Sequence, residues 1–139
     1  MTRLARVAAV ALAVLLSACA QMPTDTRQRL VVQVSDDSPK TWNQALNNAA
    51  NVQKELGKEN VDIRIVVYGN GIGMLKLDSV VADRVKQAVD GGIAVVACEN
   101  TMKGRKIVRA DMLPYSGYVK AGIVDIMQRQ RDGYVYVRP

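Results

Sequence analysis

The run Ile93-Ala94-Val95-Val96-Ala97-Cys98-Glu99-Asn100-Thr101-Met102 constrains this chain more than any other stretch. Five apolar residues lead into a cysteine, and the pattern then turns polar. So short and continuous an apolar run fits a strand buried on both faces, as in a parallel sheet. Asn100 or Thr101 is suited to cap a helix that follows. Cys98 is then expected at the carboxyl end of a strand, just before a helix N-terminus. Open α/β sheets place their ligands there, and a thiol in that position is open to a depressed pKa.

The rest of the chain supplies partners for such a strand. Leu30 to Val34 is rich in β-branched residues and reads as the first strand. Ser38 is a suitable N-cap with Pro39 at the first helical position. Trp42, Ala45, Leu46, Ala49, Ala50, Val52 and Leu56 form a helical stripe that Gly57 ends. Val61 to Tyr68 is the second strand, followed by the glycine-rich loop Gly69 to Gly73. Ser79 is placed to cap a second helix through Val89, with Val81, Val85 and Ala88 inward. Ile93 to Cys98 is the third strand. A short third helix is expected over Thr101 to Lys106, weakened by Gly104. Leu113-Pro114 breaks the chain before a short fourth strand at Tyr118-Val119. Ala121 to Arg131 is a fourth helix with Ile123, Val124 and Met127 on one side. Tyr134 to Arg138 is the last strand. This alternation predicts one α/β domain with a mainly parallel five-stranded sheet and helices on both faces.

The first 28 residues stand outside that pattern. Arg3 and Arg6 precede an apolar run from Val7 to Leu16, about ten residues long and too short to span a bilayer. Leu16-Ser17-Ala18-Cys19 resembles the lipobox of bacterial lipoproteins, in which the cysteine is acylated and becomes the mature N-terminus. Residues 1–18 are therefore expected to be a signal peptide, Cys19 the lipidated residue and 19–28 a tether, with the domain over 29–139. Ala20 resembles the residue that follows the cysteine in lipoproteins sent to the outer membrane, where an aspartate would signal retention. The localisation this implies is the cell envelope, facing the periplasm. Ala20 to Gln28 reaches at most about 30 Å when extended, so the domain would sit close to the membrane.

Composition narrows the chemistry. The chain holds no histidine and two cysteines. This excludes Ser-His-Asp and Cys-His catalysis and makes a four-ligand zinc site very improbable; no metal is expected. Without Arg3 and Arg6, 17 basic residues stand against 13 acidic ones. That excess is mild, and no arginine-rich run with interleaved aromatics points to nucleic acid. With Cys19 used for lipid, Cys98 remains the single thiol and has no intramolecular disulfide partner. An unpaired thiol in an oxidising compartment reads either as a nucleophile or as a small buried hydrophobe. The helix dipole with Lys103, Arg105 and Lys106 would favour the thiolate, whereas Glu99 would oppose it. Gly69 to Gly73 could present N–H groups to an anion or simply form a tight turn. It matches neither the phosphate-binding loop nor the dinucleotide fingerprint in full. Asp36-Asp37 reads as a solvated loop, and Trp42 as core rather than as a groove shared with Asn47 and Asn48.

Five segments carry a resemblance. They are Trp42-Asn43-Gln44-Ala45-Leu46-Asn47-Asn48-Ala49, Val67-Tyr68-Gly69-Asn70-Gly71-Ile72-Gly73-Met74-Leu75, Ala97-Cys98-Glu99-Asn100-Thr101-Met102, Asp111-Met112-Leu113-Pro114 and Gln130-Arg131-Asp132-Gly133-Tyr134. From Leu30 onward the chain resembles the DsrE/DsrF-like family of sulfur-relay proteins, and more closely its envelope branch. The resemblance implies a three-layer flavodoxin-like domain that assembles into homo-trimers or hexamers. It also implies a cysteine after a sheet strand that holds sulfur as a persulfide, and Cys98 occupies the matching place. The expected activity is a membrane-tethered sulfur carrier, without a cofactor, in which N–H groups from Asn100 to Met102 stabilise the anion and Lys103 assists. The alternative is a non-catalytic oligomeric module that holds a small anion near Gly71, Gly73 and Cys98, or docks a protein. A weaker reading makes Cys98 an oxidant sensor through its sulfenic acid. Donor and acceptor are not legible.

Overall fold

A computed structural model describes residues 26–139. The expected signal peptide, the lipobox with Cys19 and most of the tether lie outside the described residues. Strand β1 (Gln28–Val34) leads into helix α1 (Pro39–Leu56), then β2 (Val61–Val67), α2 (Ala82–Asp90), β3 (Ala94–Cys98), α3 (Glu99–Gly104), β4 (Gly117–Val119), α4 (Gly122–Arg131) and β5 (Val135–Val137). The strands form one sheet in the order β4-β3-β2-β1-β5, and each neighbouring pair is parallel.

Alternation along the strands divides the sheet into two faces. Val32, Val34, Ile63, Ile65, Val67, Val95 and Ala97 share one core with Trp42, Leu46, Val85 and Met102. Val31, Val66 and Val96 point the other way and meet Ile126 and Tyr134. Helices α1 and α2 therefore cover one face and α4 covers the other, giving three layers. Each fully buried valine or isoleucine here is worth roughly 1.5–3 kcal/mol.

The ends of α1 follow the sequence closely. The Ser38 hydroxyl accepts from the Thr41 N–H at 3.4 Å, Pro39 occupies the first turn, and Gly57 stops the helix at φ 90°. Its buried residues are Trp42, Ala45, Leu46 and Ala49, the i, i+3, i+4, i+7 spacing of one helical face. Ala50 and Leu56 are exposed instead.

Four local expectations are corrected. Helix α2 starts at Ala82, because Ser79 caps a turn that precedes it: its carbonyl accepts from the Ala82 N–H and its hydroxyl from the Val81 N–H. Helix α3 starts at Glu99 with Cys98 itself as N-cap, so neither Asn100 nor Thr101 caps it. The glycine-rich stretch is a 3-10 helix over Gly69–Leu75 rather than an open loop. A Cβ on Gly71 would lie 2.6 Å from the Val34 carbonyl oxygen, so this helix packs directly on the end of β1. Finally, Ile123, Val124 and Met127 face solvent, each at least half exposed. The inward face of α4 is Gly122, Asp125, Ile126 and Arg129, and the sheet beneath it carries Arg64. Arg64 donates twice to Asp125, at 2.7 and 3.1 Å, so an ion pair occupies the place of an apolar contact.

Candidate functional site

Strand β3 and strand β4 are neighbours, but the chain leaves them toward opposite faces. After β3, α3 turns Met102 into the α1/α2 core. After β4, α4 crosses the other face. Such a divergence opens a crevice outside the carboxyl ends of the two strands. Cys98, the last residue of β3, stands in it.

The thiol is held rather than displayed, with Cys98 only 5% exposed. The Gly122 N–H, at the first residue of α4, donates to Sγ at 3.2 Å. Cys98 Sγ lies 4.0 Å from the Lys120 carbonyl oxygen, which also accepts from the Asn100 N–H at 3.1 Å. That second bond ties the start of α3 to the exit of β4 across the sulfur. The Gly69 N–H donates to Thr101 Oγ1 at 3.0 Å. Burial pushes the Cys98 thiol up, but the Thr101 hydroxyl and the N–H groups of Gly122, Thr101 and Asn100 outweigh it and bring it below its ordinary value. Donors thus converge on a group that is neutral when protonated and anionic when ionised.

The candidates from the sequence fall in different places. Asn100 and Thr101 are at the thiol. Lys103 is exposed on α3, and the donors that lower the thiol pKa do not include it. Glu99 is engaged by the Arg109 guanidinium, which also lies 4.3 Å from the centre of the Tyr118 ring. Gly71 is buried against Val34. Gly73 faces Trp42 in a separate groove of about 700 Å³, lined also by Asp37, Asn70, Lys76 and Arg105 but not by Cys98. Trp42 is both core and floor of that groove, with its indole N–H donating to the Asp36 carbonyl at 2.7 Å. Asp36 pairs with Arg138 at 3.5 Å. Among the described residues, no group of three or more potential metal-ligating side chains occurs.

A second groove, about 550 Å³, opens between Asn100, Val119, Lys120, Val124 and Gln128, and Cys98 does not line it either. Three residues at the site were not singled out from sequence: Tyr68, Lys120 and Gly122. Tyr68 had a signal, since it directly follows one buried strand at the level where Cys98 ends the next. Gly122 had none, because a glycine opening a helix looks like a weak helix residue.

The family model for the DsrE/DsrF-like family matches residues 28–139. The chain belongs to the DsrE/DsrF-like family. Membership points to a role related to sulfur relay. Among solved structures, the domain is similar to MTH1491, a protein of unknown function from Methanobacterium thermoautotrophicum. The TM-score is 0.77 at 28% identity, over 81% of this chain and 99% of that one. It is also similar to BT1422, a conserved protein of unknown function from Bacteroides thetaiotaomicron, with a TM-score of 0.66 at 13% identity over 85% and 100%. The ychN protein of E. coli gives a TM-score of 0.66 at 12% identity over 81% and 99%. The last two likenesses concern the fold alone. No curated protein matches the chain. Within this DsrE-like fold, Cys98 is the free cysteine among the described residues.

Proposed function

We propose that this DsrE-like protein carries sulfane sulfur as a persulfide on Cys98. The observation that carries the reading is the Gly122 N–H on Sγ at 3.2 Å, at a thiol that its hydrogen-bonding surroundings bring below its ordinary pKa. The Cys98 thiolate attacks the outer sulfur of a donor persulfide, R–S–SH. The S–S bond of the donor breaks, a new S–S bond forms at Sγ, and R–S⁻ leaves with the electron pair while the proton stays on the transferred sulfur. The exchange is redox-neutral and needs no cofactor. An acceptor thiolate removes the sulfur by the same step in reverse. In this reading the protein is a lipoprotein tethered through Cys19 and facing the periplasm from the outer membrane. Copies associate as a trimer or hexamer through exposed apolar surface such as the Ile123, Val124 and Met127 stripe.

One observation favours a second reading. Cys98 is buried to 5% exposure, as suits a packing residue in a non-catalytic binding module. A single experiment separates the two. The full-length protein is incubated with a sulfane-sulfur donor and alkylated across a range of pH, and Cys98 is followed by peptide mass spectrometry. A carrier gains the mass of one sulfur and reacts with a midpoint below that of free cysteine. A thiol that stays silent until denaturant is added sinks the carrier reading.

A further inference from the structure

Tyr68 and Gly69 leave β2 at the level where Cys98 leaves β3, because Val67 pairs with Ala97 in the register of the two strands. Their contacts reach the donors around the sulfur. A Cβ built on Gly122 would lie 3.1 Å from both Cβ and Cδ1 of Tyr68, so the base of the tyrosine ring rests directly on the residue whose N–H points at Sγ. The Gly69 N–H occupies an acceptor site on Thr101 Oγ1, which leaves the hydroxyl hydrogen to be directed elsewhere. Gly69 takes φ 56°, in the left-handed region, and that bend follows immediately after Tyr68. Two adjacent residues thereby touch Gly122, which reaches the sulfur from α4, and Thr101, in the first turn of α3.

We propose that the Tyr68-Gly69 corner is the positioning element of the Cys98 site, with Tyr68 bracing the Gly122 N–H and Gly69 orienting the Thr101 hydroxyl toward Sγ. Its functional importance rests on the carrier reading above, but its geometry does not. The ring of Tyr68 does the bracing and its phenol does not. The phenol interacts electrostatically with Tyr136, Arg138, Asp36 and Cys98. The other charged groups near the crevice are Glu99 on α3, engaged by Arg109, Lys120 before α4, and Asp125 on α4, held by Arg64.

The test is the pH profile of Cys98 alkylation in the full-length protein and five variants. Tyr68→Phe keeps the ring and is expected to keep the wild-type midpoint. Tyr68→Ala and Gly122→Ala are each expected to raise it, lowering the rate below the midpoint by about three- to tenfold, as loss of one hydrogen bond to a charged group does. Thr101→Val should raise it similarly, and Thr101→Ser should restore it. Thr101→Val leaves the tyrosine ring in place, so it reads the Gly69 half of the corner even where Tyr68→Ala does not fold. A wild-type profile for Tyr68→Ala overturns the bracing role. An equal shift in Tyr68→Phe transfers the effect to the phenol and overturns it too. A wild-type profile for Thr101→Val overturns the role of Gly69. Profiles that shift as expected in a protein that accepts no sulfur keep the positioning element and sink the carrier. Sulfur uptake with unshifted profiles does the reverse.

Discussion

Helix α4 spans the same face of the sheet as two polar clusters, one at each of its ends. At its carboxyl end the groups answer one another. The Tyr134 hydroxyl donates to Asp62 at 2.7 Å, Arg29 donates to the Asp132 carbonyl at 2.6 Å, and Arg129 pairs with Asp132 at 3.4 Å beside the Tyr134 ring. Burial and then the Asp62 carboxylate hold the Tyr134 phenol above its ordinary range, so it stays a donor. At its amino end the helix supplies the Gly122 N–H to a thiol that has no ion-pair partner of its own, one turn before the Arg64–Asp125 pair. Tyr134 is thus kept protonated while Cys98 is eased toward its anion. Polar residues on a sheet face hold the fold together where their charges are mutually matched. They make chemistry available where donors converge on a group that has yet to ionise.

The largest effect expected at the reactive end is complete loss. Cys98→Ser should abolish the mass gain from a sulfane-sulfur donor while leaving the denaturation midpoint nearly unchanged, since the hydroxyl also accepts from Gly122. Sulfur gain elsewhere on the variant would remove Cys98 from the mechanism. At the mutually matched charges along α4 the effects should fall on stability instead. Asp125→Ala strips Arg64 of its bidentate partner, and the two side chains are 21% and 11% exposed. The cost is expected at about 2 kcal/mol, between the limits for exposed and fully buried pairs. Equilibrium denaturation reads it. A cost near zero would show that α4 is held by Ile126 alone. Tyr134→Phe removes one hydrogen bond and should cost about 1 kcal/mol, with the Cys98 alkylation profile unmoved. A shifted profile there would break the separation of the two ends.

How much of this contrast the sequence carries differs between the ends of α4. Strands and α1 were legible because their cues are local: β-branched runs, a serine before a proline, a glycine stop, and apolar residues at helical spacing. Cys98 at a strand end was legible for the same reason. The inward face of α4 was not. Its buried side is Gly122, Asp125, Ile126 and Arg129, and only one of these is a large apolar residue. Hydrophobic periodicity therefore selected Ile123, Val124 and Met127, the side that faces solvent. An ion pair between Arg64 and Asp125 links residues 61 positions apart, and no local rule signals it. Gly122 escaped notice likewise, because its role comes from the Tyr68 ring and the Cys98 sulfur, both distant in sequence. The glycine-rich stretch reads as a loop that presents N–H groups to an anion or as a tight turn, and neither reading contains the close approach of Gly71 to the end of β1.

The smallest expected effect couples the reactive end back to the fold. The Cys98 pKa is lowered in the folded protein, so the unfolded state binds the thiol proton more tightly. Stability contributed by the thiolate is absent below the folded pKa. It grows as pH rises through that value and is fully present above the ordinary pKa of a free thiol, about 8.5. Lowering the pH through the folded value removes it. Serine does not titrate in this range, so the stability difference between wild type and Cys98→Ser should move in favour of wild type from pH 6 to pH 9. Denaturant titrations under reducing conditions at the two pH values measure that change. The other titrating groups are common to both proteins and largely cancel in that difference. A difference that is flat or of opposite sign would mean that burial dominates over the Gly122 and Thr101 donors. Cys98 would then behave like the matched groups at the far end of α4, a packed residue rather than a poised one.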